Sequence, residues 1–239
     1  FADPTAMMSR AIIEGLFGVR PDLLAGQVTW APEFPAGWDH AALTHPDFSL
    51  SFVRKGDVDT YDMEPHFAKA VGVRFVLPAK SDHIAAVTVN GQAAPWKAVA
   101  DAVGLPEIEV DVPAPAGAGA KAEVSVTWGG NPLSVPTYNA VDDPGNLLVV
   151  DTGAARYMGM RDPQTSVTGT SGAGNGFVTS ATDELGWHTI FVHLRQGDFA
   201  WWSPVDCETR PAMEIVSVDS QEKDSLKFQI RNNSWQRLD

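Results

Sequence analysis

The chain has 239 residues, 44% of them hydrophobic and 20% charged, long enough for one large β domain or two small ones. A formal net charge of −13 argues against nucleic acid and against a polybasic membrane anchor, because both need a basic surface. It suits a neutral or weakly charged ligand instead. No run approaches the roughly twenty apolar residues of a membrane span, and the single cysteine, Cys207, excludes an internal disulfide and reads as an inert thiol.

In chain order, Asp3-Pro4 is a helix start: Asp accepts from free amides and Pro suits the first helical position. Met8, Ile12, Ile13 and Leu16 then give one apolar face, and Gly18 with Pro21 makes a stop. This helix has no helical partner later in the sequence, which points to helices upstream of Phe1 that would cover it.

After Gly26 the period changes to two. Residues 27–31, 48–54, 71–77, 84–90, 108–112 and 123–128 read as strands. Arg54-Lys55-Gly56-Asp57 has hairpin chemistry, and Asn90-Gly91 is a strong two-residue turn signal. Residues 114–120 read as a flexible hairpin loop. Signals weaken from 131 to 176, where Gly169–Gly176 reads as a mobile loop. Residues 188–195 and 199–205 form a hairpin about Gln196-Gly197-Asp198, and 213–218 with 226–231 form a last one. The fold class expected is mainly β: an antiparallel β-sandwich preceded by a terminal helix. The domains expected are a terminal helix and exit over 1–26, a β-sandwich region over 27–211, and a further truncated sandwich beginning at 212–239.

The candidate chemistry is sparse. Glu14 is the one acid with a catalytic reading, lying on the helix just before Gly15-Leu16-Phe17-Gly18; Arg10 stands one turn earlier, where an i, i+4 ion pair is the plainer role. Asp57, Asp59, Asp62 and Glu64 cluster at a hairpin and read as solvated edge charges rather than calcium ligands. Asp142, Asp143 and Asp151 read the same way. An independent hydrolytic site among Asp57, Asp59 and His66 lacks a nucleophile, base and orienter. His188 and His193, five apart on one strand, face opposite sides and cannot share a metal. No metal or cofactor is expected.

The eight tryptophans carry more. Indole faces stack on sugar rings, although core packing is the commoner use. For Trp201-Trp202, strand alternation sends one ring to each face, so one is core and the other is free to meet a sugar or a domain junction.

Residues Arg10–Asp22, then Trp30–Ala42 with its Pro32-x-x-Pro35-x-x-Trp38 spacing, then Pro46–Leu50, resemble the exit from an (α/α)6 six-hairpin barrel. The family is that of bacterial glycoside hydrolases related to α-L-rhamnosidases and α-L-fucosidases. Ile84–Gln92 with Trp96, Arg161–Gln164, and Gly186–Val192 with Trp201–Pro204 resemble parts of the β-sandwich that follows.

The resemblance implies an accessory C-terminal region of a secreted or periplasmic polysaccharide-degrading enzyme. Its partners would be an upstream catalytic barrel and an oligosaccharide or polysaccharide, with the acid and base on the barrel. The helix would be a barrel remnant, with Arg10, Glu14 and Phe17 within reach of the substrate, and Trp201 and Trp202 as further contacts. The alternative is a carbohydrate-binding or structural β-sandwich with no enzyme attached.

Overall fold

A computed structural model describes residues 4–113, 121–139, 141–222 and 225–234. Asp3, the 114–120 loop and Trp235 lie outside these residues. Among the described residues the chain is mainly β, with one short α-helix near its start. It divides into two compact units, residues 1–133 with 197–200, and residues 134–196 with 201–239.

The first unit begins with α1 (Pro4–Arg10), which gives way to a π turn over Ala11–Leu16. The Phe17 amide donates to the Ile12 carbonyl at 2.9 Å, five residues back. The expected helix is therefore interrupted after its second turn. Gly15, a poor α-helix former, lies in the widened segment. Gly18 ends it with φ +64°, and a side chain there would overlap the Ala31 carbonyl, so only glycine fits.

Among the described residues eleven strands follow: β1 (Val19–Asp22), β2 (Gln27–Trp30), β3 (His40–His45), β4 (Phe48–Lys55), β5 (Val58–Pro65), β6 (Gly72–Pro78), β7 (Ser81–Val89), β8 (Gln92–Ala93), β9 (Lys97–Ala98), β10 (Glu107–Val112) and β11 (Ala122–Pro132). One sheet has the order β1-β2-β6-β10-β9 and the other β3-β4-β5-β11-β7-β8. Pairing is antiparallel except between β2 and β6.

The period-two pattern becomes alternate burial. Leu50 and Phe52 of β4, Tyr61 and Met63 of β5, Phe75 and Leu77 of β6, and Val124 and Val126 of β11 all point inward. Trp30 sits between the sheets, 5.8 Å from the Tyr61 ring on one and 5.5 Å from Phe75 on the other. This is an antiparallel β-sandwich with an aromatic centre. At the β7–β8 turn, Asn90 and Gly91 both take positive φ, as the Asn-Gly signal requires.

In the second unit, β12 (Thr137–Tyr138), β14 (Leu147–Asp151), β17 (Gly176–Ala181) and β16 (Val167–Gly172) form one sheet. The other contains β13 (Val141–Asp142), β19 (Phe199–Thr209, in this unit from Trp201), β18 (Gly186–Gln196) and β15 (Arg156–Arg161). Tyr157 of β15 stacks on Phe177 of β17 with centroids 4.7 Å apart, so the two sheets share a core. Order over 147–181 corrects the weak-signal reading, since Gly169–Gly172 belongs to β16 beside a bulge. A bulge in the hairpin with β17, and the pairing of β17 with β14, supply what the local glycine-rich pattern does not announce.

The last hairpin, β20 (Met213–Glu222) and β21 (Ser225–Asn232), is a sheet of its own. Ile215 pairs with Ile230 and Val218 with Phe228, and all four side chains are exposed.

Candidate functional site

The residues singled out in the sequence separate into two places. Arg10 and Glu14 form an i, i+4 ion pair at 2.8 Å, both side chains largely in water. The pair raises the Arg10 pKa through its hydrogen bond to Glu14, as a surface ion pair does. Phe17, by contrast, is buried and meets Phe34 edge to face at 5.2 Å.

Phe34 stacks in turn on Phe52 at 5.3 Å and on Trp38 at 6.0 Å. These rings line part of a cleft of about 390 Å³ in the first unit, with Pro32, Tyr61 and Leu105 among its other walls. Its cationic groups are already engaged. Lys80 Nζ donates to the Gly56 carbonyl and to Asp57. Arg54 grips Asp59 through two 2.7 Å hydrogen bonds and approaches the Ala36 carbonyl. The cleft thus presents apolar and aromatic surface, with Trp38 41% exposed at the lip.

Asp59 itself corrects the sequence expectation. It is 0% exposed, not a solvated edge charge, and accepts from Trp128 Nε1 at 3.0 Å as well as from Arg54. Its two oxygens are consumed by structure, which leaves no free carboxylate for acid–base work or calcium. Beside it, Tyr61 has its pKa raised, first by burial and then by the Asp59 charge. Among the described residues, no three His, Cys, Asp or Glu side chains converge as a metal site would require.

The second place is the outer face of the β13-β19-β18-β15 sheet. Alternation along β19 buries Trp201, 1% exposed, and turns Trp202 outward. Along β18, His188, Ile190, Val192 and Leu194 are buried, whereas Trp187, Phe191, His193 and Arg195 lie on the opposite side. His193 and His188 thus face opposite ways, and His188 Nε2 is 3.0 Å from the Glu184 carbonyl.

On this outer face the His193 ring stacks on Trp202, with centroids 4.6 Å apart and planes 16° from parallel. Stacked neighbours at this spacing follow from the distance of about 4.8 Å between paired strands. The Arg161 guanidinium of β15 lies 4.5 Å from the Trp202 ring centroid, a cation–π contact. Trp187 stands 64% exposed on the same face. Thr189 donates to Asp206 at 2.6 Å, tying β18 to β19 beside it. The ladder of His193, Trp202 and Arg161 was not legible beforehand, because its members come from three strands; the Trp201-Trp202 doublet was the one local signal.

No family model matches the sequence, and no curated protein matches it. Among solved structures, the chain is similar to a γ-CGTase from alkalophilic Bacillus clarkii, with 11% identity and a TM-score of 0.25. The match covers 74% of this chain and 26% of that one, so the chain spans about a quarter of the solved structure's length. No helix is long and apolar enough to cross a membrane, among the described residues.

Proposed function

We propose that this chain is an accessory, carbohydrate-contacting β-sandwich region of an extracytoplasmic glycoside hydrolase, with the catalytic acid and base elsewhere in the polypeptide. The observation that carries this reading is the outward Trp202 ring in its ladder with His193 and Arg161, beside the exposed Trp187. Aromatic rings fixed on a sheet face offer flat apolar surface to the C–H side of a sugar at little entropic cost, because their rotamers are held in advance. β19 carries β13 as its other neighbour only at Glu208 and Thr209, so Trp202 lies beyond the reach of that pairing.

Two further features support the accessory role. Asp59, the best buried carboxylate, is consumed by Arg54 and Trp128. Met8 on α1 is 67% exposed, the face on which the resemblance to a barrel exit would place upstream helices. In this reading Arg10 and Glu14 stand near the barrel rim.

The test is a titration of the full chain with a panel of neutral and charged oligosaccharides, followed by intrinsic tryptophan fluorescence. Saturable quenching that disappears in Trp202→Ala and weakens in Trp187→Ala is the expected result. No response to any sugar leaves a purely structural module, and turnover of an aryl glycoside by this chain alone overturns the accessory role.

A further inference from the structure

The net charge of −13 conceals a local reversal on this same face. Arg156 of β15 stands directly opposite Arg195 of β18, and both are exposed. Like charges opposite one another across strands destabilise a sheet. Elsewhere, Arg54, Arg74 and Arg210 are each tied to a carboxylate at 2.7 Å. Among the described residues, Arg156, Arg161 and Arg195 form no ion pair.

The neighbouring acids keep their charge but are held by groups other than these arginines. Asp206 accepts from Thr189, Glu208 pairs with Arg210, and Asp162 accepts from the Gln164 and Val167 amides and from the Ser166 hydroxyl. Three unpaired guanidinium groups and His193 therefore share one sheet face with Trp202 and Trp187. Folding gains nothing from an arginine pair in this arrangement.

We propose that this face binds an acidic polysaccharide, one whose sugar rings carry carboxylates, with Arg156 and Arg195 gripping one uronate and Arg161 another. The inference rests on the carbohydrate-contacting reading above and names its ligand class. A guanidinium stacked on an indole keeps its in-plane N–H donors free, and their fork matches the two oxygens of a carboxylate. Arg161 lies five residues along β15 from Arg156, roughly 15 Å at strand rise, so the two grips sit on separate sugars of one chain. Trp187, 64% exposed on the same face, supplies flat surface that a sugar ring needs, while the Trp202 ring holds Arg161 in place.

The full chain is titrated calorimetrically at low salt with polygalacturonate, with the same polymer fully methyl-esterified, and with dextran sulfate. Polygalacturonate is expected to bind at least tenfold more tightly than the uncharged ester and than dextran sulfate. Its affinity should fall with added salt, and the slope of that fall should be smaller in Arg156→Gln/Arg195→Gln. That double variant and Arg161→Gln should each lose at least fivefold in affinity with an unchanged or higher melting temperature, which keeps a folding defect out of the result.

Equal binding of the ester overturns the charge assignment while leaving the sugar-contacting reading intact. Equal binding of dextran sulfate reduces the face to general polyanion attraction and overturns it too, as does an unaltered affinity in the double variant. No binding of polygalacturonate overturns the inference, and silence of Trp202 across the whole panel, neutral and charged, overturns the underlying reading as well.

Discussion

Asp59 and Arg54 meet as a fork: Nε donates to Oδ1 and Nη2 to Oδ2, each at 2.7 Å. The hydrogen bond to Asp59 raises the Arg54 pKa, and Trp128 Nε1 completes the acceptor's shell. Asp59→Ala would leave a part-buried guanidinium and a buried indole N–H without an acceptor, a loss of about 3–5 kcal/mol when a buried pair loses one partner. Trp128→Phe removes one hydrogen bond to a charged group, about 1.5–3 kcal/mol. Urea unfolding of both variants checks the order. A cost for Asp59→Ala no greater than for Trp128→Phe would show that the carboxylate is not the anchor.

Tyr61 should govern stability at alkaline pH. Its folded pKa lies above the unfolded value of about 10, so the folded state keeps a proton that the unfolded state releases. This contribution is fully present below pH 10 and declines as pH rises above it, by up to about 1.4 kcal/mol per pH unit. Tyr61→Phe removes the ionisation and should shift the alkaline unfolding midpoint upward. An unchanged midpoint would assign alkaline unfolding to other groups, Tyr157 first, whose pKa burial also raises.

Gly197 and Gly56 both adopt positive φ, +54° and +58°, but only Gly197 has a crowded neighbourhood. A Cβ at Gly197 would overlap the Asp82 carbonyl, whereas one at Gly56 meets nothing within 4 Å. Gly56→Ala should cost only the left-handed conformation, about 1–2 kcal/mol. Gly197→Ala should cost clearly more, because the Asp198 amide must also keep its 2.8 Å hydrogen bond to that carbonyl. Parallel thermal melts decide it, and equal losses would refute the steric argument.

The β20–β21 hairpin exposes Ile215, Val218, Leu226, Phe228 and Ile230. A two-stranded hairpin with an open apolar face is marginal and prone to association. Ile215→Thr/Phe228→Thr should reduce binding of a hydrophobic dye and concentration-dependent association. The main unfolding midpoint should move by less than about 0.5 kcal/mol, as for surface changes. A large drop in that midpoint would mean the face is packed within the chain in solution.

Much of the sandwich was legible because alternation and turn chemistry are local. Leu50 and Phe52, or Val124 and Val126, announce an inward face, and Asn90-Gly91 announces its own turn. β3, with Ala41 and Ala42, and β16, with Gly169 and Gly172, carry too little β preference to be seen before their partners hold them. The burial of Asp59 was hidden for another reason: its acceptor role depends on Trp128, sixty-nine residues away. The outward ring of the Trp201-Trp202 pair could be expected from parity alone. Its companions could not, since Arg161 and His193 reach it only through the order β19-β18-β15.

Residues 197–200 belong to the first unit although the rest of that unit ends at Leu133. Asp198 Oδ2 accepts from the Ile84 amide at 3.0 Å and lies 2.8 Å from His83 Nδ1. During synthesis, then, the edge of β7 must wait for these contacts on the order of several seconds at ribosomal speed. The first unit can collapse early but closes late, and a polypeptide stopped at Leu133 would keep the sandwich core while leaving that edge unlatched.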